Sequence, residues 1–107
     1  MSLQLEKIKT AVGFSIKSRH IVFGTDSILS CKNAKVVMMS TALADSAKSK
    51  LMHYHEKRNI PIFVIDASEF LDIVQNENVK AIAITDSGLA SAIKKILTSN
   101  GLGGQLE

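Results

Sequence analysis

Tryptophan is absent from this chain, tyrosine, proline and cysteine occur once each, and aromatic residues together make up 5% of the sequence. Each scarcity removes a class of protein. A lone cysteine, Cys31, forms no internal disulfide and belongs to no secretory framework, so a reducing cytoplasm is the expected location. No apolar run approaches the ~20 residues that cross a bilayer and no cleavable leader is visible, so no membrane partner is expected. With so few rings, a surface that stacks bases on exposed aromatics has little material. Any nucleic acid must be held mainly by hydrogen bonds and charge.

Catalytic signatures are missing as well. GxGxxG, GxxxxGK and GxSxG do not occur, and no cofactor, metal or small-molecule substrate is expected. His53 and His55, two apart on a predicted helix, point about 200° apart and cannot share an ion, so with Glu56 they are read as a solvated face. Cys31 has no partner in sequence and is read as core packing rather than a nucleophile. Asp66 and Thr85 each close a predicted strand, as the phosphoacceptor and switch threonine of a receiver domain do. A receiver, however, needs paired acids after its first strand, where this chain has Gly24-Thr25. Asp66 is better read as a helix cap, and no enzyme is predicted.

What the chain does contain is enough apolar material, 46% of 107 residues, to bury the core of one domain. Thirteen basic against ten acidic residues give a charge of +3 and a pI near 9.1, which permits a polyanion partner without requiring one. The domain is expected to span 1–107, with a core over about 3–99 and a flexible tail over 100–107.

The central stretch is His20 to Met39. Ile21-Val22-Phe23 is a β-branched and aromatic run, Gly24 tolerates backbone conformations other residues resist, and Thr25 or Asp26 is placed to cap a helix over about Thr25–Asn33. Such a junction turns free N–H groups toward an anion, and Lys17, Arg19, Lys32 and Lys35 flank it in sequence. Before it, Leu5, Ile8 and Val12 mark an amphipathic helix over 3–18, in which Gly13 is read as a close packing contact. After it come a strand over Lys35–Met39, a helix over Ala44–Arg58 burying Ala47, Leu51 and Tyr54, and a strand over Ile62–Ile65. A short helix capped by Asp66 or Ser68, a strand over Val79–Thr85 and a helix capped by Asp86 or Ser87 complete the chain. Lys48, Lys50, Lys57 and Arg58 are read as a solvated helix face, with RNA contact by that helix as the alternative. Alternating helices and strands with short connections predict an α/β fold with helices on both faces of a sheet.

Gly13-Phe14 with Lys17, Gly24 after the first strand, Asn59-Ile60-Pro61 before the third, and Ile84-Thr85-Asp86-Ser87-Gly88-Leu89-Ala90 entering the last helix carry a resemblance. Over about residues 8–97 the chain resembles the kink-turn-binding ribosomal protein family, the L-seven-Ae and L-thirty-e group, and within it the small bacterial branch called YlxQ-like. The resemblance implies a three-layer α/β/α sandwich around a four-stranded mixed sheet. It also implies RNA contact at the first strand-to-helix junction, through Gly24, Thr25, Asp26, Ser27 and Ser30, with a second contacting edge at Asn76, Glu77 and Asn78.

The expected function is therefore a non-catalytic RNA-binding protein, ribosome-associated, with structured or ribosomal RNA and ribosomal or other proteins as expected partners. RNA-reading members carry asparagine, glutamate and lysine where this chain has Asp26, Ser27 and Ser30. These replacements motivate the alternative, a protein-interaction module on the same fold without specific kink-turn recognition.

Overall fold

Continuous apolar runs such as Val36-Val37-Met38-Met39 and Ala81-Ile82-Ala83-Ile84 belong to strands covered on both faces, because successive side chains point to opposite sides of a sheet. The computed structural model describes residues 3–100 and 104–106. In chain order the elements are α1 (Leu3–Lys17), β1 (Ile21–Phe23), α2 (Thr25–Ser30), β2 (Val36–Ser40), α3 (Asp45–Arg58), β3 (Ile62–Ile65), α4 (Ala67–Val74), β4 (Ala81–Ile84), α5 (Ser87–Asn100) and β5 (Gly104–Leu106). The strand order is β1-β4-β2-β3-β5. β2 and β3 are parallel, whereas β4 runs antiparallel to both β1 and β2, so the sheet is mixed.

Alternation along the strands builds the two halves of the core. Val36, Met38, Phe63, Ile65, Ile82 and Ile84 face α1, α4 and α5, where Ile8, Phe70 and Ile93 meet them. Val37, Met39, Ile62, Ala81 and Ala83 face the other way, under Ile28 of α2 and Leu51 and Tyr54 of α3. The result is the predicted three-layer α/β/α sandwich. On the second face the alanines of β4 leave room for α2, whose one fully buried side chain, Ile28, contributes on the order of 1.5–3 kcal/mol by its burial.

Several local details differ from the sequence reading. The sheet gains a fifth strand, β5, antiparallel to β3, from within the segment read as a tail; residues 101–103 and 107 of that tail lie outside the described residues. α2 ends at Ser30 rather than Asn33, and neither Thr25 nor Asp26 caps it. Gly24 occupies the cap position with φ 89° and no side-chain bond. Gly13 is not a packing glycine, since a Cβ built there meets nothing within 4 Å. His55 does not face solvent. It is 9% exposed, and its Nδ1 lies in hydrogen-bond contact with the carbonyl of Ile60, which requires that nitrogen to donate. The left-handed Asn59, φ 55°, ends α3 and turns the chain back so that this carbonyl reaches the ring.

Asp66 does cap α4. Its Oδ2 accepts from the Ser68 N–H at 3.2 Å and the Ser68 hydroxyl at 2.6 Å, and Asp86 does likewise for α5 by accepting from the Leu89 N–H at 2.8 Å. The Ser68 hydroxyl and then its N–H hold the Asp66 carboxyl below the ordinary aspartate range. A carboxyl whose folded value is depressed stabilises the fold above its unfolded value, and that stability is lost as pH falls through the folded one. Asp66→Ala is therefore expected to melt at a lower temperature than the parent at neutral pH. The gap should close as pH drops below ~3.9, the ordinary aspartate value, in paired thermal melts. A gap independent of pH would contradict a charged cap.

Candidate functional site

Gly24 closes β1 and opens α2. Its N–H donates to the Ala81 carbonyl at 2.9 Å, and its own carbonyl accepts from Ile28 N–H at 3.0 Å as the first helical bond. With φ 89° and ψ 150° it occupies a region essentially restricted to glycine, which lets the chain leave the strand and enter the helix with no intervening loop. Thr25 is half-buried, while Asp26, Ser27 and Ser30 are exposed on α2. The Ser30 hydroxyl donates back to the Asp26 carbonyl at 3.2 Å, so it is partly engaged within its own helix.

The Asn76–Asn78 loop lies at this same end of the sheet, because β1 and β4 are antiparallel and the loop leads into β4. Asn76 orders it: its Oδ1 accepts from Asn78 N–H at 3.0 Å and its carbonyl from Val79 N–H at 3.2 Å, leaving Glu77 exposed at the tip. Junction and loop, distant in sequence, thus form one polar ridge across the β1–β4 edge.

The flanking cations do not join it. Thr85 N–H donates to the His20 carbonyl and Lys35 N–H to the Ile84 carbonyl, so Arg19, His20 and Lys35 gather at the opposite end of the sheet, with Lys17 at the end of α1 leading there. From His20 to Gly24 the strand spans ~13 Å. Lys32 follows the far end of α2, which at six residues is ~9 Å long. The four cations therefore do not surround the glycine turn. So short a helix also offers only a weak dipole to an anion. At the glycine end the exposed charges of the ridge itself are acidic, Asp26 and Glu77, against a half-buried Lys80.

The same topology separates the receiver-like pair. Asp66 follows β3 at the glycine end, where Thr41 N–H donates to the Ile65 carbonyl, whereas Thr85 ends the antiparallel β4 at the other. They stand roughly 15 Å apart along the strand direction, too far for one site. No cluster of histidine, cysteine and acidic residues suited to a metal occurs among the described residues. Cys31 is half-buried against the α2/α3 core, and its thiol donates to Asn33 Oδ1 at 3.2 Å.

The Tyr54 hydroxyl donates to the Cys31 carbonyl at 2.9 Å, tying α3 to the end of α2. Burial pushes the phenol above its ordinary value and nearby Cys31 adds to this, while the Arg58 guanidinium opposes it. That guanidinium lies 5.8 Å from the ring centroid, in cation–π range. Sequence reading missed this anchor, because the Tyr54–Cys31 bond joins two elements whose packing no local pattern encodes.

No family model matches the sequence, and no curated protein matches it. Among solved structures the fold is similar to that of a protein with unknown function from Bacillus halodurans C. The match has a TM-score of 0.77 at 16% identity, over 86% of this chain and 97% of that one. At that identity the likeness is one of fold. No helix among the described residues is long and apolar enough to cross a membrane.

Proposed function

We propose that this chain is a non-catalytic, cytoplasmic RNA-binding protein, ribosome-associated, that contacts RNA through the β1–α2 junction and the Asn76–Asn78 loop. The observation that supports the reading is the Gly24–Ala81 hydrogen bond of 2.9 Å, which sets the junction at the end of the sheet where the loop enters β4. The ridge offers hydroxyls, amides and carboxylates, the groups that exchange hydrogen bonds with base edges and 2′-hydroxyls, in a chain with few rings for stacking. Its acidic side chains disfavour phosphate, so the cations elsewhere on the surface must supply the backbone contacts.

If about four phosphates are neutralised, the logarithm of affinity for duplex RNA is expected to fall with the logarithm of salt at a slope of roughly −3 to −4, by analogy with ~0.9 per phosphate for DNA. A salt titration of labelled structured RNA measures it. No retention even at low salt would end the reading.

The same titration weighs the second one, a protein-interaction module. That reading draws on β1 being an edge strand ending in the exposed Phe23, and on exposed Phe14 in α1. Absence of RNA retention would favour it.

A further inference from the structure

α3 has 14 residues and α2 six, lengths of ~21 and ~9 Å, so the shorter helix leaves much of its neighbour uncovered. The uncovered flank is an open groove of about 500 Å³ with Leu29 of α2 and Tyr54 at its floor and Lys50, His53, Lys57 and Arg58 along it. Lys50, Tyr54 and Lys57 recur at i, i+4 and i+7, the spacing of one helix face. Neither acidic residue of α3, Asp45 or Glu56, lines the groove, and neither does Asp26 of α2. Among the described residues no carboxylate lies within ion-pairing distance of Lys50, Lys57 or Arg58. The cations are thus solvated, uncompensated and aligned. From Lys50 to Arg58 they spread over ~12 Å of helix, a reach suited to successive phosphates of a strand rather than to a single anion. Tyr54, held by its bond to the Cys31 carbonyl, fixes the Arg58 guanidinium at the end of the line.

We infer that the α2/α3 groove binds the phosphodiester backbone of an RNA strand, with Lys50, Lys57 and Arg58 neutralising its phosphates. The choice of RNA among polyanions rests on the function proposed above, and the groove supplies the phosphate contacts that the acidic ridge lacks. α2 links the two surfaces: Gly24 begins it at the ridge, and Leu29 near its end lines the groove.

The test is a salt titration of a labelled single-stranded oligoribonucleotide and a labelled RNA hairpin against four full-length proteins. These are the parent, Lys50→Gln/Lys57→Gln, that double with Arg58→Gln added, and Lys7→Gln/Lys94→Gln/Lys95→Gln, which removes equal charge from α1 and α5. The double variant leaves the Arg58–Tyr54 contact in place, so loss of folding in the triple does not decide the outcome. The groove double is expected to reduce the salt slope by about 1 to 2 and the groove triple by about 2 to 3, with the α1/α5 triple close to the parent. Equal reductions in both triples would show binding that follows net charge, and would overturn the groove. RNA bound with an unchanged slope in both groove variants would overturn it too, while leaving the ridge and the RNA function standing. No RNA bound by the parent would remove both.

Discussion

Phe63→Ala is expected to lower the free energy of unfolding by about 3–5 kcal/mol, the range for truncating a fully buried phenylalanine. Phe63 lies in β3 between β2 and β5 and is 1% exposed. Its neighbours in the core are already interlocked: Met38 is its register partner on β2, and Phe70 and Ile82 belong to the same cluster. The cavity left by the ring has walls drawn from both the sheet and α4, so it collapses poorly. Against a typical domain stability of ~5–15 kcal/mol, the variant stands near the edge of folding. Urea denaturation checks this, with the midpoint falling and the slope unchanged. Phe23→Ala is the contrast, since that ring is 41% exposed at the end of an edge strand and its loss should stay within about 1 kcal/mol. Comparable losses at the two positions would contradict the assigned packing.

Gly24→Ala is expected to cost about 1–3 kcal/mol, although a methyl group there meets no atom within 4 Å. The cost lies in the backbone, because φ 89° with ψ 150° is closed to residues carrying a Cβ. Relief of that strain rotates the start of α2, so RNA retention should weaken together with the melting temperature. Gly13→Ala separates steric from conformational effects: space there is equally open but the backbone is helical, and alanine should stabilise by roughly 0.5–1 kcal/mol. A destabilised Gly13 variant beside an unaffected Gly24 variant would reverse this account.

Much of the element pattern was legible because its causes are local. The stripe of Leu5, Ile8 and Val12 marks α1, Asn59-Ile60-Pro61 stops α3, and Asp66 and Asp86 cap the helices they precede. The misreadings also share a cause. His55 looked solvated because a helix wheel does not know that a carbonyl five residues later folds back onto the ring. Lys50, Lys57 and Arg58 are exposed, as a charged face should be, and only the groove beside them was hidden, because the shortness of α2 depends on the chain turning at Cys31 to return to β2. Of the four cations near Gly24 in sequence, Lys17, Arg19 and Lys35 are held away by the length of one strand and Lys32 by the length of α2.

The sequence by itself determined that this chain alternates helix and strand, which residues are apolar enough for the core, and that a conformationally permissive glycine lies between β1 and α2. Helical and strand periodicity and backbone sterics act over a few residues, so they are written locally. Tertiary structure alone decided the strand order β1-β4-β2-β3-β5 and the reversed direction of β4. Runs such as Val36–Met39 and Ala81–Ile84 are apolar on both faces, so their pattern carries neither partner nor direction. That choice brings Asn76–Asn78 to the Gly24 end of the sheet and sends Asp66 and Thr85 to opposite ends, while the shortness of α2 leaves the groove along α3 lined by Lys50, Lys57 and Arg58.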